Sequence, residues 1–151
     1  MAPTQSSQDV AADLIRWYGL TADDFVIEVD SGEGSFLRAI RALGPRVLGI
    51  EPDIQVMARA FHGGVDTLAA TFHSSTADDI RRRYGPAQLV LSRTGHLAGD
   101  ELTRFVATAA RLLAPAANST EVAAPPLSRT PTPPEITRIR AISFEICCDL
   151  S

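Results

Sequence analysis

A chain of 151 residues has room for one domain and not for two ordinary ones. Folding would bury about two-thirds of its surface, enough for a core without disulfides or a structural metal. At 45% hydrophobic, 21% charged and a net charge of −4, the composition excludes bulk disorder and argues against a nucleic-acid partner. No apolar run approaches the roughly 20 residues of a membrane helix, so no membrane partner is expected. Met1 to Asp9 is polar, unlike a secretory signal peptide. The two cysteines, Cys147 and Cys148, are adjacent and make no disulfide framework, which points to a reducing, cytoplasmic compartment. All fourteen basic residues are arginine, which removes Schiff-base and P-loop lysine chemistry.

In chain order, Val10, Leu14 and Trp17 share one face of a helix predicted over 9–18, with Gly19 as its stop. Phe25 to Val29 is a nearly continuous apolar run, as in a strand covered on both faces. A helix over 35–43 follows, with Phe36, Ile40 and Leu43 inward, and then a second buried strand, Arg46 to Ile50. Pro52 is suited to open the next helix, with Ile54, Met57, Ala58 and Phe61 on its inner face. Val65 to Phe72 reads as a weaker strand. Ser75 is the expected N-cap of a helix reaching Tyr84, Gln88 to Ser92 the fourth strand, and Asp100 the cap of a last helix. That helix carries Leu102, Phe105, Val106, Ala109 and Leu113 as its stripe. Strands alternating with helices at this spacing predict a three-layer α/β fold, a mainly parallel sheet with helices on both faces.

The text changes near residue 115. Six of the ten prolines fall between 115 and 134, a stretch that cannot continue a helix or occupy a central strand. The expected organisation is an α/β domain over 8–114, a proline-rich arm over 115–135 and a terminal segment over 136–151. In that segment Ile142, Phe144 and Ile146 alternate as an edge strand would, and its apolar side could join a second copy or another protein.

Ligands of parallel sheets bind where the carboxyl ends of strands meet helix N-termini. That places Glu28-Val29-Asp30-Ser31-Gly32-Glu33-Gly34 and Glu51 at the candidate site. Gly32 and Gly34 permit a sharp turn and close approach of a ligand, and an acid at the second strand's end can accept two ribose hydroxyls. A dinucleotide fingerprint would place a third glycine where Leu37 stands. The carboxylates of Glu28, Asp30 and Glu33 would repel a pyrophosphate and suit a ligand with a cationic centre and an ammonium group.

The segment Phe25 to Leu37 resembles the first motif of class I S-adenosylmethionine-dependent methyltransferases, and Val47 to Asp53 their second, ribose-binding motif. Gly85 to Arg93 resembles the fourth-strand motif, and Leu112 to Pro115 the end of the following helix. Gly49 to Pro52 and the segment Ser92, Arg93 and His96 are similar to deoxysugar C-methyltransferases. The resemblance implies S-adenosylmethionine as cofactor and a small-molecule methyl acceptor. It implies that Glu28 anchors the loop, that Gly32 and Gly34 lie against the amino-acid part of the cofactor, and that Glu51 holds the ribose. Phe72 and His73 would lie near the adenine, and Ser92 to His96 would face the methyl group and acceptor, with His96 as candidate base. Asp30, Ser31, Pro52 and Arg93 complete the implied cofactor-binding set. Asp30 stands in place of the motif's first glycine, Gln88 in place of an acid, and Ala116-Ala117 in place of a Gly-Gly turn. No recognisable fifth strand follows, so the chain reads as the cofactor-binding half, truncated or altered after residue 115. Two functions stay open: a methyltransferase, or a catalytically inactive methyltransferase-like domain that binds a ligand or protein. No metal site is expected, because the three histidines lack ligand spacing.

Overall fold

A reciprocal cap starts the first helix. The Ser6 hydroxyl accepts the Asp9 N–H at 3.2 Å, and the Asp9 carboxylate accepts the Ser6 N–H. Helix α1 (Ser7–Tyr18) therefore begins before Asp9, and it ends at Gly19, whose φ of 57° lies in the left-handed region. The computed structural model describes residues 6–92, 99–113, 120–122 and 139–143. The remaining elements are β1 (Phe25–Val29), α2 (Ser35–Ala42), β2 (Arg46–Ile50), α3 (Ile54–His62), β3 (Thr67–Leu68), α4 (Ser74–Tyr84), β4 (Leu89–Ser92), α5 (Gly99–Leu112), β5 (Thr120–Val122) and β6 (Ile139–Ser143).

The described strands form one sheet in the order β3-β2-β1-β4-β6-β5, with every pair parallel. Side chains alternate across a strand, so each strand supplies two cores. Phe25, Ile27 and Val29 join Leu48, Ile50 and Val90 beneath Ala77 and Ile80 of α4 and Phe105, Ala109 and Leu112 of α5. On the other face Val26, Leu89 and Leu91 pack against Ala11 and Leu14 of α1 and Phe36, Leu37 and Ile40 of α2. This is the three-layer α/β architecture predicted from the strand and helix pattern.

Several local expectations are corrected. Pro52 does not open α3; Asp53 caps it, its carboxylate accepting the Gln55 and Val56 N–H groups, because a side-chain acceptor satisfies free donors that a proline ring cannot. The third strand shrinks to two residues, as Val65 leaves the strand line to fill the α1/α2 core. Helix α4 starts at Ser74, after His73, which makes no side-chain cap, so Ser75 lies inside the first turn. Helix α5 starts at Gly99, which puts Asp100 in its first turn beside the positive end of the helix dipole. Gln88 precedes β4; its side-chain oxygen accepts the Phe25 N–H at 2.7 Å, tying the start of β1 to β4.

The inner face expected for α3 holds only in part: Met57 and Ala58 are half-buried, whereas its two ends face outward. Ile54 and Phe61 are 66% and 60% exposed, and of α3 only Ala60 is fully buried. Helix α3 packs on the two-residue edge strand β3, which offers too little surface to cover a four-residue stripe. Leu43, likewise expected inward, is the C-cap of α2 and half exposed. Phe61→Ala should therefore change stability by less than about 1 kcal/mol, against about 3–5 kcal/mol for a buried phenylalanine. Urea titration of the two proteins checks this.

In the run Arg81-Arg82-Arg83 the first two side chains have partners. Arg81 donates to the Leu113 and Arg111 carbonyls at the end of α5. Arg82 pairs with Asp79. Arg111 grips Asp78 through two hydrogen bonds of 2.9 and 2.8 Å, which hold the Asp78 carboxyl below its ordinary range.

Strand β6 covers Ile139–Ser143, so it includes Ile142 of the expected strand, and it lies between β4 and β5. β6 pairs with β4 through Val90↔Ala141, Leu91↔Ile142 and Ser92↔Ser143, and β5, from within the stretch predicted as an arm, pairs with its far side. The prolines of the arm, Phe144, Ile146 and both cysteines lie outside the described residues.

Candidate functional site

Parallel pairing aligns Val29 with Ile50 on one side and with Ser92 on the other, so the carboxyl ends of β1, β2 and β4 open side by side. Glu28 is fully buried near the end of β1, in register with Gly49 and Leu91. The loop from Asp30 to Gly34 then turns the chain into α2. Its geometry demands left-handed backbone at three positions: Asp30 (φ 55°), Gly32 (φ 58°) and Gly34 (φ 77°). Asp30 is the one non-glycine residue with such a φ among the described residues.

The two glycines answer different needs. A Cβ on Gly34 would lie 3.0 Å from Val65 Cβ, so this position is closed by packing as well as by φ. A Cβ on Gly32 would meet nothing within 4 Å, which leaves the backbone there open to a ligand. Beneath the loop, Gly49 of β2 makes room for Ser31: a Cβ on Gly49 would collide with the Ser31 hydroxyl and lie 2.9 Å from Thr67 Oγ1. The Ser31 hydroxyl is buried and makes no hydrogen bond among the described residues.

Glu51 holds the loop. One of its carboxylate oxygens accepts the Gly32 N–H at 3.0 Å and the other accepts the Asp53 N–H at 3.0 Å. A carboxylate offers about four acceptor sites, so roughly two remain for ligand hydroxyls. The Ser31 N–H adds a bond to the Ile50 carbonyl, and Arg59 of α3 pairs with Glu33 at 2.7 Å. Burial at the strand end and, next, the neighbouring Glu51 charge raise the Asp30 carboxyl above its ordinary value.

The structure thus brings Glu28, Asp30, Ser31, Gly32, Gly34 and Glu51 together. Pro52 follows on the exposed side, and Ser92 is buried at the adjoining end of β4. Phe72 packs on Phe105 with ring centroids 5.6 Å apart, and His73 is exposed at the head of α4. Arg93 and His96 lie outside the described residues. Sequence reasoning missed Asp53, Arg59 and Gln88. An aspartate before an amphipathic run is a legible cap signal for Asp53, whereas nothing local links Arg59 to Glu33.

No protein-family profile matches the chain. The C-methyltransferase NovU of Streptomyces niveus is 34% identical over 97 residues, which cover 64% of this chain and 23% of that protein. The chain therefore spans under a quarter of the length of this relative. Among solved structures, CalS10, an amino pentose methyltransferase from Micromonospora echinaspora with S-adenosylmethionine bound, superimposes with a TM-score of 0.54 at 23% identity, over 74% of this chain and 48% of that one. An S-adenosylmethionine-dependent methyltransferase from Agrobacterium tumefaciens gives 0.55 at 12% identity, over 72% and 41%. The chain has the class I S-adenosylmethionine-dependent methyltransferase fold, and its sequence is similar to that of a C-methyltransferase.

Proposed function

We propose that this chain is the cofactor-binding part of an S-adenosylmethionine-dependent methyltransferase that methylates carbon of a small-molecule acceptor, in secondary or sugar metabolism. The observation that carries the reading is the pairing of an open glycine backbone at Gly32 with the Glu51 carboxylate, on adjoining strand ends. The similarity to a C-methyltransferase and the likeness in fold to an amino pentose methyltransferase support the choice of atom and acceptor class.

In this reading Glu51 accepts the ribose hydroxyls and the Gly32 backbone lies against the amino-acid end. When bound, the cofactor supplies a methyl group on a positively charged sulfur, ready for in-line displacement. Ser92 ends the strand beside Val29, at the same opening. His96 is the proposed base that takes the acceptor proton. The acceleration comes chiefly from holding acceptor and methyl group in line, a contribution that reaches about 7–11 kcal/mol in well-oriented systems.

Calorimetric titration of the full chain with S-adenosylmethionine and, separately, with NAD tests the reading. Binding of the first and not the second is expected. Binding of NAD alone overturns it, and binding of neither favours a domain that has lost the cofactor.

A further inference from the structure

Asp30 is exposed and held in a conformation that a glycine would adopt without strain. Non-glycine residues with φ near 55° are uncommon, and aspartate is among the few that tolerate it. Among the described residues Asp30 has no hydrogen-bond or ion-pair partner that would explain its place. The two cations that reach this loop among the described residues are both held at Glu33, Arg59 by its carboxylate and Arg38 by its carbonyl. Desolvation of the carboxylate and, next, like charge from Glu51 both work against the ionised form of Asp30. Backbone strain and charge repulsion therefore coincide at one residue, on the rim of the open backbone at Gly32.

We propose that Asp30 makes the loop discriminate the positively charged cofactor from its neutral, demethylated product. The inference rests on the methyltransferase reading above and adds a selectivity to it. Methyl transfer breaks the bond between sulfur and the methyl carbon and leaves the electron pair on sulfur, so the ligand loses one positive charge. The Asp30 and Glu51 carboxylates favour the ligand before that loss and give it up after. Glu51 holds two backbone N–H groups and is the proposed ribose acceptor, whereas Asp30 makes no side-chain bond among the described residues, so Asp30 is the carboxylate left to act on the ligand's charge. A single charge at such range changes affinity by about three- to tenfold in a water-accessible site.

The test compares the 151-residue chain with its Asp30→Asn and Asp30→Gly variants. Each is titrated by calorimetry with S-adenosylmethionine and with S-adenosylhomocysteine, at low and high salt. Asp30→Gly retains the left-handed backbone and keeps the test open should the asparagine variant fold poorly. The affinity ratio of charged to neutral ligand is expected to fall about three- to tenfold in both variants, mainly through weaker binding of the charged one. High salt should shrink that difference. Both ligand-free variants are expected to melt at a higher temperature than the parent, through relief of repulsion and, for glycine, of strain. An unchanged ratio in variants that bind both ligands overturns the proposal and leaves the methyltransferase reading standing. Failure of the parent protein to bind either ligand overturns both.

Discussion

Gly34→Ala is expected to lower the stability of the protein by about 2–5 kcal/mol, the largest effect of any single change in the loop. Two independent terms add. A left-handed backbone costs an L-residue about 1–2 kcal/mol, and Gly34 sits at φ 77°. The new methyl would also lie 3.0 Å from both Cβ and Cγ2 of Val65, a fully buried residue of the α1/α2 core, and overpacking of this kind costs about 1–3 kcal/mol. Val65 cannot retreat freely, because Phe36, Leu37 and Leu91 occupy the same core. Denaturant titration should show a lower midpoint with an unchanged slope. A second substitution, Val65→Ala, removes the Cγ contacts and leaves the Cβ one, so it should return only part of the steric cost and none of the backbone cost. A loss below about 1 kcal/mol in Gly34→Ala would mean that the loop can adopt another turn.

Glu51→Ala is expected to weaken binding of S-adenosylmethionine by about 10- to 100-fold, corresponding to about 1–3 kcal/mol for lost hydrogen bonds to a charged acceptor. The reason is double. The carboxylate is the acceptor proposed for the ribose, and it also holds the Gly32 and Asp53 N–H groups in the ligand-free protein. Removing it frees the loop after β1 from the turn before α3, so the ligand must then order a backbone that Glu51 holds beforehand. Because Asp53 is exposed and Gly32 half-buried, water replaces part of what is lost, and the cost to stability stays at about 1–2 kcal/mol. Hydrogen exchange separates the two roles. The amides of Gly32 and Asp53 should lose protection in Glu51→Ala without any ligand present. Unaltered protection would show that Glu51 does not hold the loop. In Glu51→Gln one amide oxygen remains as acceptor while the NH₂ faces a second donor, so an intermediate loss is expected.

Much of the site could be read along the chain because its parts are local in sequence. The acid at the end of an apolar run, the glycines before an amphipathic helix and the acid closing the next run each follow from periodicity and turn chemistry over a dozen residues. The alternation of these units predicted the parallel sheet in the same way, since a strand, a crossover helix and a second strand leave few other packings. Asp30 was visible as a departure from a glycine, but its left-handed φ came only with the folded loop.

Distance along the chain marks what could not be read. The Glu51 bond to Gly32 spans 19 residues, the Arg59–Glu33 pair 26 and the Gln88 bond to Phe25 63. Each depends on which strands become neighbours, a choice made by burial of the whole sheet. The outward face of α3 has the same origin: its stripe is as apolar as that of any inner helix, and a two-residue strand beneath it leaves Ile54 and Phe61 uncovered. Residue types and their spacing alone determined the α/β alternation and marked the Gly32–Gly34 loop and Glu51 as candidate parts of the site, because local backbone preference and hydrophobic periodicity act over one or two turns. Tertiary structure alone decided the clamp on the loop, the repulsion at Asp30 and the place of β6 beside β4, because these are interactions between segments that meet only once both cores have formed.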